Sequence, residues 1–261
     1  MINPRAGKAG PSAEELAEAA SAHGIDSRIL TPGDDAAALA RGAREGPLGV
    51  AGGDGSLAPV AEAALLRNLP FVVVPFGSRN HFARDLGLDR NDPLGALAAY
   101  DGEERRIDVG RADDRLFLNN VSFGVYASLV HRRERHRRRR AALARARALL
   151  RTLRHPHRLR LTVGGEPIAA RVILVANNAY DLRLLDLGAR GSLAEGRLYL
   201  YSADGLLRTT WEERSGERFV VEASRRLPAA LDGEPVVLEP PVEFTIEPRA
   251  LRVLLPPRGE R

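Results

Sequence analysis

The apolar residues of this chain change their period near residue 105, and that change limits the folds open to it. Before it, short continuous apolar runs alternate with segments of helical spacing. After it, apolar and polar residues alternate in steps of two. A chain of 261 residues has room for one large domain or two ordinary ones. In the first half, "SAEELAEAASAHG" (12–24) reads as a helix with Ser12 as N-cap and a closing glycine. "SRILTPGD" (27–34) reads as a strand and turn, and "DDAAALARGARE" (34–45) as a second helix. A strand "LGVA" and a helix "LAPVAEAALLRN" follow, with Pro59 in the first turn, where proline is tolerated. "PFVVVPFG" (70–77) is the clearest buried strand, and a short helix runs from about Asn80 to Leu86. Strand and helix in alternation predict a parallel sheet with helical crossovers over 1–105. The alternating stretches from 106 to 261, separated by Gly and Asp turns, predict an antiparallel, β-rich second domain, interrupted by one helix at about 131–154.

Composition narrows the setting. No apolar run reaches the roughly 18 residues of a membrane-spanning helix, and "MINPRAGKAG" lacks the apolar core of a signal peptide. The chain has no cysteine, which excludes disulfides and thiolate metal sites and fits a cytoplasmic address. None of the six histidines has zinc-ligand spacing. The net charge of +5 is unevenly spread: twelve arginines against the one acid Glu134 lie between His131 and Arg158. A local basic face points to an anionic partner such as a membrane surface.

Three Gly-rich or polar turns follow the expected parallel strands: "NPRAGKAG" (3–10), "GGDGS" (52–56) and "PFGSRN" (75–80). Parallel strands deliver such turns to one sheet edge, where backbone N–H groups at helix starts bind anions. Any one of them alone is equally an ordinary tight turn. Ser56 suits the N-cap of the helix that follows, with its hydroxyl within reach of a phosphate. There is no G-x-x-x-x-G-K-[ST] and no G-x-G-x-x-G after the first strand, so neither common phosphate-loop motif is present. Asp54 is the puzzle. A carboxylate beside phosphate-binding amides repels the anion, unless a divalent cation lies between them or the acid takes a proton from a nucleophile.

"NPRAGK", "GGDGS", "PFGSRNHFARDLGL", "FLNNVSFGVY" and "LDGEP" (231–235), in this order, resemble the diacylglycerol kinase catalytic family, which includes bacterial lipid kinases and sphingosine kinases. The resemblance spans nearly the whole chain. It implies an α/β nucleotide-binding domain and a β-sandwich domain with the active site in the cleft between them. It implies ATP as the phosphoryl donor, with Asn3 and Gly7 in the first nucleotide loop, Thr31 near the nucleotide, and Gly52, Gly53, Asp54, Gly55 and Ser56 cradling phosphate. Ser78 and Asn80 would lie on the third loop, and Asp54 would hold the nucleotide's magnesium directly or through water. Asp232 and Glu234 would form the acid/base pair, with Glu234 as proton acceptor. By spacing alone, "LDGEP" is equally an ordinary hairpin turn.

The chain departs from the family pattern in places. Ser56 replaces the usual threonine, and His81 a common aspartate. In the family's structural-magnesium loop, Gly188 stands for proline and Ala194 for the first acid, leaving Glu195 and the carbonyls of Ser192 and Arg197 as the implied magnesium ligands. The first strand is cut to "MI", where a central strand usually has about five residues.

These readings together predict a kinase that passes the γ-phosphoryl group of ATP to a hydroxyl of a membrane lipid such as diacylglycerol. It would lie peripherally on the inner face of the membrane through its arginine-rich helix. The alternatives are an NAD kinase-like enzyme, a non-catalytic nucleotide-binding protein of the membrane surface, and a nucleic-acid binder. The first lacks the downstream N-E or N-D pair, which is "LNNVSFG" here. The last lacks aromatic residues among the arginines.

Overall fold

The computed structural model describes residues 1–6, 10–77, 80–124, 159–183, 186–203 and 211–257. The expected basic helix at 131–154 lies outside the described residues. In chain order the elements are α1 (Ala13–Ala22), α2 (Ala36–Arg41), β1 (Leu48–Gly52), α3 (Ala58–Leu66), β2 (Phe71–Pro75), α4 (His81–Asp85), β3 (Glu103–Ala112), β4 (Arg115–Phe117) and β5 (Asn120–Gly124). There follow β6 (Leu159–Val163), β7 (Glu166–Ala170), β8 (Val172–Asn177), β9 (Tyr180–Arg183), β10 (Asp186–Arg190), β11 (Leu198–Ala203) and β12 (Glu212–Gly216). The last are β13 (Arg218–Glu222), β14 (Leu227–Leu231), β15 (Glu234–Leu238) and β16 (Val242–Leu255). They fall into two compact units. The first holds residues 1–108, 191–194 and the chain from Pro248 onward; the second holds 109–190 and 195–247.

In the first unit β1 and β2 pair in parallel, Val50 opposite Val73, and the end of β16 joins β2 in parallel at Val253–Phe71. All five residues of each of β1 and β2 are buried, as in a sheet covered on both faces. The expected first strand is reduced to Ile2, which bridges Ala51 on one side and Ile29 on the other. The strand expected at 27–34 shrinks to that same contact. α1 begins with a capping box: Ser12 Oγ accepts the Glu15 N–H at 3.0 Å, and Glu15 Oε2 accepts the Ser12 N–H at 2.6 Å. Its buried Leu16 and Ala20 pack with Ile2, Val72, Val74, Phe76 and Leu97. Burying a side chain such as Leu16 stabilises the fold by about 2 kcal/mol. A Cβ on Gly49 would lie 1.8 Å from the Tyr100 hydroxyl, so only glycine lets that ring close over β1. Burial pushes the Tyr100 phenol up to about 12.

The second unit is built from antiparallel strands. One sheet runs β12-β11-β8-β5-β14-β15, and the other contains residues 242–247 of β16 with β13, β6 and β7. Residues from both sheets interdigitate in one core, where Phe244 meets Phe117 and Phe123 edge to face at centroid distances of 6.4 and 6.0 Å.

The division expected at residue 105 is therefore not contiguous. The alternating pattern of "VEFTIEPRALRVLL" is a single strand of 14 residues whose two halves belong to different units. The change comes at Pro248–Arg249, where Arg249 has a φ of 51° and donates its N–H to the buried Asp108 carboxylate at 2.7 Å. Among the described residues, no helix is long and apolar enough to cross a membrane.

Candidate active site

In the first unit the turns after Ile2, β1 and β2 interlock. Asn3 Nδ2 donates to Ser56 Oγ at 2.9 Å, and Asn3 Oδ1 accepts the Arg5 N–H at 3.1 Å. A Cβ on Gly52 would lie 2.7 Å from the Ser56 Cβ. A Cβ on Gly77 would lie 2.5 Å from the Gly53 Cα, so the second and third turns touch backbone to backbone. Asn80 is buried, and its Nδ2 donates to the Gly77 carbonyl at 2.9 Å. Its Oδ1 is buried without a hydrogen-bond partner and sits 3.1 Å from where the Gly77 Cβ would be. A buried acceptor left unmatched is costly.

Two of these residues act differently from expectation. Ser56 is not an N-cap. Asp54–Ser56, with Gly55 at its centre, forms a 3₁₀ turn, and α3 starts one residue later with Leu57 at a cap position that has no side-chain hydrogen bond. Asp54 Oδ2 accepts the His81 N–H at 3.2 Å, and Oδ1 accepts the Phe82 N–H at 3.1 Å. Asn80 makes no capping bond to α4, so Asp54 does that work from the neighbouring turn. The carboxylate that looked isolated in sequence is thus bound to a helix start, although a carboxylate keeps further lone pairs for other partners.

Thr31 is exposed on a turn closed by Asp34. Its N–H and hydroxyl donate to Asp34 Oδ2 at 2.8 and 2.9 Å, and Arg28 pairs with Asp34 Oδ1 at 2.9 Å. The Thr31 donors, and then Arg28, hold the Asp34 carboxyl below its ordinary value. Gly7 and Ser78 lie outside the described residues.

In the second unit, Asp232–Gly233 is the two-residue turn of the β14–β15 hairpin, with Leu231 opposite Glu234. The φ angles of 48° and 85° are those of a type I′ turn, which Asp-Gly favours. Asp232 turns inward and is 7% exposed. Its Oδ2 accepts the Leu118 N–H at 2.8 Å, and its Oδ1 accepts the N–H groups of Asn119 and Asn120 at 2.7 and 3.1 Å. Glu234 opens β15 and is exposed. The two acids therefore do different work. Asp232 ties the hairpin to the segment between β4 and β5, and Glu234 faces outward.

A polar network that the sequence reading did not single out surrounds this segment. Arg190 is 4% exposed and donates to the carbonyls of Leu118 and Asn177 at 2.7 and 3.0 Å and to Asn119 Oδ1 at 2.8 Å. Its guanidinium carbon lies 5.4 Å from the centre of the Tyr180 ring. The Tyr180 N–H donates to the buried Tyr201 hydroxyl at 3.0 Å, and burial raises the Tyr201 phenol well above its ordinary value. One signal was present in the sequence: an arginine and asparagines inside runs that otherwise read as core strands.

Of the atoms implied as ligands of a structural magnesium ion, the Glu195 carboxylate and the Arg197 carbonyl each have a protein partner and keep further lone pairs. Ser192 Oγ accepts the Ala194 N–H at 3.1 Å, and the Arg197 carbonyl accepts the Asn178 N–H at 3.0 Å. The Glu195 carboxylate takes the Tyr199 hydroxyl, which, after burial, raises that phenol. Among the described residues no group of three or more acidic or histidine side chains is placed to hold a metal. A hard cation of this kind wants several oxygen ligands.

Known proteins resemble this chain in sequence and in fold. The family model of the diacylglycerol kinase catalytic domain matches residues 1–112. The probable lipid kinase YegS-like of Pseudomonas aeruginosa PAO1 is 30% identical over 238 residues, covering 78% of this chain and 75% of the relative. A diacylglycerol kinase of Mycobacterium tuberculosis H37Rv is 31% identical over 185 residues, covering 67% of this chain and 57% of its own. The crystal structure of a diacylglycerol kinase from Bacillus anthracis superposes with a TM-score of 0.67 over 97% of this chain and 94% of that one; at 14% identity it shows the fold alone. The interlocked glycine turns, the α/β unit followed by antiparallel sheets and the similarity over three quarters of a relative all lead to one assignment: the chain belongs to the diacylglycerol kinase catalytic-domain family.

Proposed function

We propose that the protein is an ATP-dependent lipid kinase that transfers the γ-phosphoryl group to a hydroxyl of a membrane lipid, with diacylglycerol as the first candidate. The observation that carries this reading is the interlocking of three turns around Asn3, Gly53, Ser56 and Gly77, with the buried Asn80 Oδ1 unmatched beside them. Exposed backbone N–H groups on such turns suit phosphate oxygens. Asn80 Oδ1 suits a hydroxyl or amino group of the nucleotide. Magnesium enters with the nucleotide, as MgATP, and the ion neutralises charge on the phosphates.

In this reading the lipid hydroxyl oxygen attacks the γ-phosphorus, the bond to the β–γ bridging oxygen breaks, and ADP leaves. Glu234, exposed at the start of β15, accepts the hydroxyl proton. Asp232 holds the turn that presents it. Asp54 keeps α4 and the third turn in register with the second, so that the phosphate-facing amides are aligned before substrate arrives. The arginine-rich stretch 131–158 supplies attachment to anionic headgroups, at roughly 1 kcal/mol per basic residue near the surface.

The test is phosphate transfer from γ-labelled ATP with magnesium to vesicles that contain diacylglycerol, sphingoid base or phosphatidylglycerol, with NAD in a parallel reaction. Label in a lipid product supports the reading. Label in NAD, or ATP turnover that ignores lipid, overturns it.

A further inference from the structure

We propose that Arg190 is a positioning residue for the Asp232–Glu234 hairpin, acting through the single peptide unit that joins Leu118 to Asn119. The carbonyl oxygen of that unit accepts Arg190 Nη1 at 2.7 Å, and its N–H donates to Asp232 Oδ1 at 2.7 Å. A buried cation and a buried carboxylate thus hold the two ends of one amide plane. Both bonds have the short lengths of charge-assisted hydrogen bonds. A guanidinium on the oxygen polarises the amide and strengthens what its N–H gives to the acid. Arg190 also holds the Asn119 side chain, through Nη2 to Oδ1 at 2.8 Å, and the Asn177 carbonyl at 3.0 Å. Asn177 closes the arrangement: its Nδ2 donates to the Leu118 carbonyl at 3.1 Å, and its N–H to the Asn119 carbonyl at 3.0 Å.

Burying a guanidinium is costly, and packing alone does not call for one here. What the planar fork provides is a fixed orientation for three oxygens at once, which a flexible ammonium does not match. With that orientation the N–H groups of Leu118, Asn119 and Asn120 point at Asp232, and the Asp232 N–H in turn bonds the Asn120 carbonyl at 2.9 Å. Glu234 follows two residues later. The catalytic part of this inference rests on the kinase reading; the structural part does not.

The experiment compares the parent protein with Arg190→Met and Arg190→Lys. For Arg190→Met, amide hydrogen exchange at Asn119 and Asn120 should quicken by about tenfold or more, while the β6–β7 hairpin keeps its parent rates. Its kcat should fall by about tenfold with KM for MgATP little changed. Arg190→Lys should lie between the two in every readout. A folded Arg190→Met protein with parent exchange and parent kcat overturns the proposal. Where Arg190→Met does not fold, parent-like exchange at Asn119 in Arg190→Lys overturns it. Absence of lipid phosphorylation in the parent would sink the kinase reading instead, and the exchange rates would still decide what Arg190 does to the turn.

Discussion

The Asp54 carboxylate accepts the main-chain N–H groups of His81 and Phe82, one on each oxygen, across 27 and 28 residues of chain. It is the cap that α4 lacks from its own preceding residue. This locks the second glycine turn to the third and gives the lone acid of "GGDGS" a structural partner besides any part it takes in phosphoryl transfer.

Replacing Asp54 should therefore cost both stability and turnover. Asp54→Ala removes the cap and is expected to lower unfolding free energy by about 1 kcal/mol. Turnover should fall by about a hundredfold or more. Asp54→Asn keeps an acceptor and should recover most of the stability but not the rate. Denaturant titrations beside steady-state assays separate the two.

Glu234 and Asp232 should behave oppositely. Glu234→Gln, at an exposed position, should leave the unfolding midpoint within about 0.5 kcal/mol of the parent and cut turnover by about a hundredfold or more. Asp232→Ala strands the N–H groups of Leu118, Asn119 and Asn120, the first two of them buried, and should destabilise by about 3 kcal/mol. An unchanged rate in Glu234→Gln would remove it as proton acceptor.

Gly77→Ala places a methyl group 2.5 Å from the Gly53 Cα, and backbone cannot step aside as a flexible side chain can. The turns should spread, raising KM for MgATP about tenfold, a change worth 1.4 kcal/mol. Isothermal titration with a non-hydrolysable nucleotide checks this without lipid.

Asp34 should make one part of the stability pH-dependent. Its folded pKa is depressed by the Thr31 donors and Arg28. Its contribution is then present above the unfolded value of 3.8 and is lost as pH falls below that toward the folded value. The stability difference between the parent and Asp34→Asn should be constant from pH 5 to 7 and shrink below about 3.8. Urea midpoints measured across that range test the sign.

Much of the fold was legible because its signals are local. Ser12 and Glu15 form their capping box three residues apart, and "FVVVP" (71–75) is buried throughout, as a continuous apolar run in a parallel sheet should be. Asp232–Gly233 makes the tight hairpin turn that an Asp-Gly pair favours between alternating segments. The strand 242–255 misled for the same reason. Its alternation is uniform, and nothing in the period says that the chain leaves one unit for the other at Pro248.

Sequence by itself determined the elements, the glycine turns and the family, because turn chemistry, caps and hydrophobic period act within a few residues. Only the tertiary structure decided what the charged groups touch. Asp54 meets α4 from 27 residues away, Arg190 meets Leu118 from 72, and Asp232 meets it from 114. Hydrogen bonds at such separations depend on which strands lie side by side, and that is settled by the burial of whole sheets rather than by the neighbours of any one acid or arginine.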